Sequence, residues 1–208
     1  MANEELNTSG WDAITAEFER VYPGQTKPLH YGTILSWELG GNDPLRGISI
    51  YDGGDFWHFV SYGLTELYEK ETEDKEWSGF GFELTFKLKK DCFDPDDLED
   101  ELACVCGIMQ SIARITFKNG DIFQNNEYLY TGQTTGIDAK QKSALTGFIC
   151  INDPTVNTLE TPNGRVEFIE LIGMTDSELK TLGSHDSVAE IYARLGSDIT
   201  DYKRKPLF

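Results

Sequence analysis

The sequence predicts a single α+β domain, and three observations predict it. Phe80, Phe82, Leu84, Phe86 and Leu88 fall on alternate positions, the period-2 signature of a strand with one apolar face. Residues 48–51 and 56–62 flank Asp52-Gly53-Gly54-Asp55, the pattern of a β-hairpin. Leu98, Leu102, Val105, Met109 and Ile112 recur at spacings of four and three, which draws one stripe along a helix. No fixed-period repeat, low-complexity tract or long linker divides the 208 residues, so one domain over 1–208 accounts for the chain.

Taken in order, Ser9 with Asp12 reads as a capping-box variant, and Trp11, Ile14, Phe18, Val21 and Tyr22 follow at helical spacing. A helix over 11–22 ends at Pro23-Gly24. Pro28 precedes a strand over 31–39, with Trp37 and Leu39 on one face and Glu38 on the other. Gly40-Gly41-Asn42-Asp43-Pro44 turns the chain into the hairpin. Residues 66–76 hold six acidic and two basic side chains and form an exposed loop. In the strand that follows, Gly81 sits opposite the apolar face and lets another group come close.

Asp94-Pro95 supplies an N-cap and a first-turn proline for a helix over 95–117 that stops at Asn119-Gly120. Residues 128–130 and 147–151 read as strands, the second halted by Asn152-Asp153-Pro154. Residues 166–174 carry apolar groups on both faces and so describe a strand covered on each side. Thr175 caps a short helix through Leu182, and Ser187 caps another over 188–195. The tail turns basic at Lys203-Arg204-Lys205.

Apolar residues make up 39% and aromatics 12%, enough for a packed core without disulfide or metal. Thirty-six acidic against eighteen basic residues leave a formal charge of −18. That field disfavours nucleic acid and anionic lipid and steers a basic polypeptide toward the acidic face, although plain solubility also fits it. The start shows no basic cluster followed by an apolar signal, and no run approaches a membrane span, so a cytoplasmic protein with reduced cysteines is expected.

Candidates for chemistry are thin. His58 lies inside a strand, where a hydrogen-bonded structural role is the ordinary one, and His30 and His185 sit in turn-like surroundings without a motif. Cys104 and Cys106 would project about 200° apart on a helix and cannot share an ion. Gly79-Phe80-Gly81 lacks the third glycine of a dinucleotide fingerprint, because Leu84 occupies its place. The acids between Asp94 and Glu101 lack the central glycine of a calcium loop and suit a helix start instead. No cofactor or metal is expected. An enzyme built from scattered residues such as His58, Glu83 and Asp55 stays open, as does a self-associating scaffold.

Three segments carry a family resemblance: Leu39-Gly40-Gly41-Asn42-Asp43-Pro44-Leu45, Trp57 to Leu64, and Ser78-Gly79-Phe80-Gly81-Phe82-Glu83-Leu84-Thr85-Phe86. Tyr22-Pro23-Gly24-Gln25, Leu67-Tyr68, Thr161-Pro162 with Gly164, and Ile199-Thr200-Asp201 continue it in order. Together they resemble the amino-terminal domain of the Suppressor of fused family. The resemblance implies a mixed, largely antiparallel central sheet with flanking helices and a non-catalytic role in holding another protein. In animal members this domain and a carboxy-terminal one close on a strand-forming segment of a Gli transcription factor. Phe59 stands here where the family has a tyrosine near that groove. Single-domain bacterial members, which are thought to bind and neutralise a cognate toxin as immunity proteins, resemble the chain better. A protein or extended peptide, with a basic toxin as one case, is the implied partner. By order of strand and loop, its surface falls on Tyr62, Glu66, Tyr68, Glu69, Glu71 and Asp74.

Overall fold

The computed structural model describes residues 6–183 and 187–208, so His185 lies outside the described residues. Eight strands among them form one sheet: β1 (Leu29–Gly32), β2 (Gly47–Asp52), β3 (Phe56–Tyr62), β4 (Trp77–Lys89), β5 (Glu127–Leu129), β6 (Leu145–Asn152), β7 (Leu159–Thr161) and β8 (Gly164–Thr175). Their order is β1-β2-β3-β4-β8-β6-β5, with β7 paired to β8. Only the central β4–β8 pair is parallel. Four helices, α1 (Ser9–Val21), α2 (Leu98–Asn119), α3 (Asp176–Thr181) and α4 (Val188–Leu195), cover the sheet. The architecture is α+β, as the sequence predicts.

Strand alternation decides which helix covers which face. Phe82, Leu84, Phe86 and Leu88 of β4 join Ile48, Ile50, Phe59, Ile169 and Leu171 beneath Leu102, Val105 and Met109 of α2. The opposite face is shared. Ile14 and Phe18 of α1 pack on Tyr51, Val60, Val166 and Phe168, while α3 and α4 cover Ile149, Ile151, Ile172 and Met174. The strand with apolar residues on both faces, β8, is therefore covered on each side from Phe168 onward.

Caps and turns follow the sequence closely. Asp94 accepts a hydrogen bond from the Asp96 backbone N–H at 3.1 Å ahead of a 3-10 turn at Pro95–Asp97, and Gly120 ends α2 in the left-handed region at φ 79°. Thr175 and Ser187 each form a full capping box, with Glu178 and Glu190. At α1 the expected Ser9 cap is not made. Thr8 holds the N-cap position without a side-chain cap, and the Gly10 and Trp11 N–H groups both donate to the Leu67 carbonyl at 3.1 Å.

The expected strand over 31–39 is a correction. Pairing with β2 ends at Gly32, because β2 itself begins at Gly47 and no strand lies opposite the residues beyond it. Trp37–Leu39 is instead a 3-10 turn closed by Gly40 at φ 87°. Strand β7, which has no sequence signature of its own, forms the hairpin that feeds β8.

Candidate functional site

The acidic loop between β3 and β4 is fixed from below by two carboxylates. Glu83 points from β4 into the sheet interior and accepts hydrogen bonds from Ser61 Oγ, from Thr65 Oγ1 at 2.7 Å, and from the N–H groups of Gly63 and Thr65 at 2.9 and 3.0 Å. Complete burial pushes its carboxyl up to about 7 despite those donors. Glu66 closes the loop above it. One carboxylate oxygen takes the Glu71 and Thr72 N–H groups at 2.7 and 2.6 Å, and the other takes Lys70 Nζ at 2.8 Å and the Gly79 N–H at 3.1 Å. Burial would raise this carboxyl, but Lys70 and the three N–H groups outweigh it and hold it below the ordinary value.

Strand β4 adapts to meet the loop. Between Trp77 and Phe82 its pairing with β8 shifts register, and Gly79 and Gly81 take positive φ of 54° and 85°. The Trp77 ring fills the space beside Gly81, where a Cβ would lie 2.9 Å from it. Phe80 is half-buried at the margin of the core under α2, 5.2 Å from Phe117 between ring centroids, and its N–H donates to the Leu64 carbonyl. Phe80 becomes a ridge between two grooves. One, of 210 Å³, is lined by Glu66, Tyr68, Glu69, Glu71 and Phe117; the other, of 500 Å³, by Asp74, Trp77, Phe82 and Phe123.

Of the surface residues expected from sequence, Glu69, Glu71 and Asp74 are exposed and Tyr68 is half-buried beside the first groove. Tyr62 is a correction: it is 1% exposed, stacked on Trp11 at 4.3 Å and linked to Thr15 Oγ1 at 3.2 Å, so α1 covers it. Alternation along β3 turns Tyr62 inward with Val60. Glu66 lines the groove, yet its carboxylate is spent on the loop's own backbone. Phe80, Phe117 and the Arg46–Glu38 pair at the rim escaped sequence reasoning, because Phe80 shares the periodicity of the buried strand.

A second polar cluster lies under α1. Tyr22 Oη and His58 Nδ1 are 2.7 Å apart, and His58 Nε2 meets Asp153 Oδ2 at 2.8 Å. Burial holds the His58 imidazole below its ordinary range, Asp153 notwithstanding, so a neutral ring donates to Asp153 and accepts from Tyr22. Lys87 Nζ then donates to Asp153 at 2.9 Å, Glu170 at 2.8 Å and Asp198 at 2.6 Å. One ammonium faces three carboxyls. Burial, with Asp153 nearby, raises the Glu170 carboxyl well above its usual range, and its Oε1 has no partner. His58, Glu83 and Asp55 do not converge: Asp55 is exposed in the β2–β3 turn, and none of the three lines either groove beside Phe80.

Burial raises all four thiols, Cys104 to about 11 and Cys92, Cys106 and Cys150 to about 12, which suits structural cysteines. Among the described residues no cluster of His, Cys, Asp or Glu is arranged to hold a metal, and no helix is long and apolar enough to cross a membrane.

The sequence matches the family profile of the Suppressor of fused protein over residues 41–205. It is 32% identical over 185 residues to the human Suppressor of fused homolog, covering 82% of this chain and 36% of that protein. The chain thus spans about a third of the length of the curated relatives it matches. Two solved structures share the fold. Drosophila Suppressor of Fused matches with TM-score 0.82 and 27% identity over 100% of this chain and 54% of its own. A chain in the Sufu–Fu complex crystal structure matches with TM-score 0.80 and 26% identity over 96% and 92%. The matched span holds β2 through α4, the loop that Glu66 and Glu83 fix and, Glu38 apart, the grooves beside Phe80, and on that match the chain belongs to the Suppressor of fused family.

Proposed function

We propose that this domain binds a basic, extended polypeptide along the two grooves beside Phe80 and acts as an immunity protein that neutralises a cognate toxin. One observation carries the reading: Glu69, Glu71 and Asp74 stand exposed on a loop whose backbone is already fixed, at the rims of grooves floored by aromatic rings. A fixed loop pays little ordering entropy on binding, and carboxylates at an aromatic groove suit lysine or arginine side chains of an extended segment. The net charge of −18 supports a basic partner through long-range steering. The Sufu–Fu complex supports protein binding as the family's mode of action.

The test begins with recovery of a partner from the native host and measurement of its affinity by calorimetry. Reversing Glu69, Glu71 and Asp74 together to lysine weakens binding by about 100-fold, chiefly through slower association. Unchanged affinity removes this face from the proposal. For the immunity role, co-expression with the recovered polypeptide restores growth that the polypeptide alone arrests; a non-toxic partner ends that part of the reading.

A further inference from the structure

We infer that the open edge of β1, with the 33–41 segment beside it, is a two-fold interface with a second copy of this chain. Strand β1 is the end of the sheet and pairs only with β2 among the described residues, so its outer backbone groups have no strand partner. A two-fold axis beside an edge strand places its copy antiparallel to it, which is the arrangement that pairs those groups.

The side chains at this edge are the wrong ones for water. Leu29 and Leu35 are each 50% exposed, Leu39 75%, and Ile34 fully exposed. They do not sit on a loose segment. Thr33 Oγ1 donates to the Leu45 carbonyl at 2.6 Å, and Gln110 of α2 bonds both the N–H and the carbonyl of Leu45 at 3.0 and 3.2 Å. Gly41 donates to the Ser36 carbonyl at 3.0 Å, and a Cβ there would lie 1.9 Å from the Leu35 oxygen, so only glycine closes the turn. A pre-ordered apolar surface loses little freedom on docking.

Charge selects the occupant. Arg46 pairs with Glu38 at 3.1 Å and Arg114 with Asp43 at 2.9 Å, so the charged groups around Ile34 neutralise one another within the chain. On a molecule of −18, most faces would repel an identical copy; here the two acids that flank the apolar segment, Glu38 and Asp43, are each paired with an arginine. A groove of 500 Å³ between the segment and α2, walled by Tyr31, Leu35, Cys106 and Gly107, leaves room for an aliphatic side chain from across the axis. Nothing lies within 4 Å of the space above Gly107. In a two-fold dimer each copy both offers and receives that side chain.

Sedimentation velocity on the full chain over a concentration series tests the inference, with urea unfolding as a fold control. The unmodified protein forms a dimer at the upper concentrations. Ile34→Glu with Leu35→Glu raises the dissociation constant at least tenfold, while the unfolding midpoint stays in place because both side chains are exposed. Tyr128→Glu, at the opposite edge of the sheet and 43% exposed, leaves the dimer intact. A monomer at every concentration, a dimer that survives the paired substitution, or one that Tyr128→Glu dissolves equally, each overturns it.

Discussion

Two buried side chains decide how this protein answers to pH and to substitution. Glu83 has its carboxyl pushed up to about 7, so between about 4.5 and 7 the folded chain keeps a proton that the unfolded chain has released. The contribution of this group to stability is whole below that window and falls as pH rises through it, by ~3 kcal/mol at most. Urea unfolding at steps of pH checks this against Glu83→Gln, in which the downward slope across the window flattens; an identical slope in both proteins refutes it. Lys87 is the other case. Removing the single cation from three carboxyls leaves buried charge without compensation, and Lys87→Met is expected to cost about 3–5 kcal/mol. Because burial raises the Glu170 carboxyl well above its usual range while His58 and Lys87 hold Asp153 below its own, adding Glu170→Gln to Lys87→Met is expected to restore less than adding Asp153→Asn. Equal recovery from both would show that Glu170 is ionised.

The elements couple the site to the core through α1. Its first N–H groups are satisfied by the Leu67 carbonyl, so a helix end and the acidic loop share one hydrogen-bonded junction. Gly10 makes that junction possible, since a Cβ on it would lie 2.2 Å from the Glu66 carbonyl oxygen. Gly10→Ala therefore pushes the loop off the helix: a loss of roughly 1–3 kcal/mol in urea unfolding is expected, together with weaker partner binding. A variant as stable as the parent would place the loop's support elsewhere. This junction was not legible in the sequence, where Ser9 and Asp12 offered a local cap that the structure does not use. Long elements were legible because their patterns repeat: five alternate apolar residues announce β4, and spacings of four and three announce α2. Short or irregular ones were not. Beyond Gly32 the 31–39 segment has strand-like composition but, among the described residues, no strand opposite it, and β7 borrows its register from β8. Within the site, Glu69, Glu71 and Asp74 follow from charge alone, while Tyr62 was lost to a question of which face, which alternation leaves undecided until the covering helix is known. The cluster around Lys87 joins residues 66 to 111 positions apart, beyond any spacing search. Its one trace is Glu170, a charged residue inside the buried run 168–174 of β8.

At the scale of the whole molecule, a charge of −18 opposes two events and favours a third. It opposes folding and self-association through mutual repulsion, and it favours capture of a cationic partner. Salt screens all three alike, since the distance over which charges act falls from roughly 30 Å at 0.01 M to about 10 Å at 0.1 M. The signs of the three responses therefore differ. Over that range the unfolding temperature rises by a few degrees, because repulsion within the compact chain weakens. The β1-edge dimer tightens, because its own face is neutral and only the remote acids oppose it. Association with a basic polypeptide at the Glu69–Asp74 loop slows about tenfold, because steering is lost. Scanning fluorimetry, sedimentation and stopped-flow binding in one salt series measure all three. If the dimer and the basic partner respond to salt in the same direction, one of the two faces has been assigned the wrong chemistry, and the loop reversals with the Ile34 and Leu35 substitutions identify which.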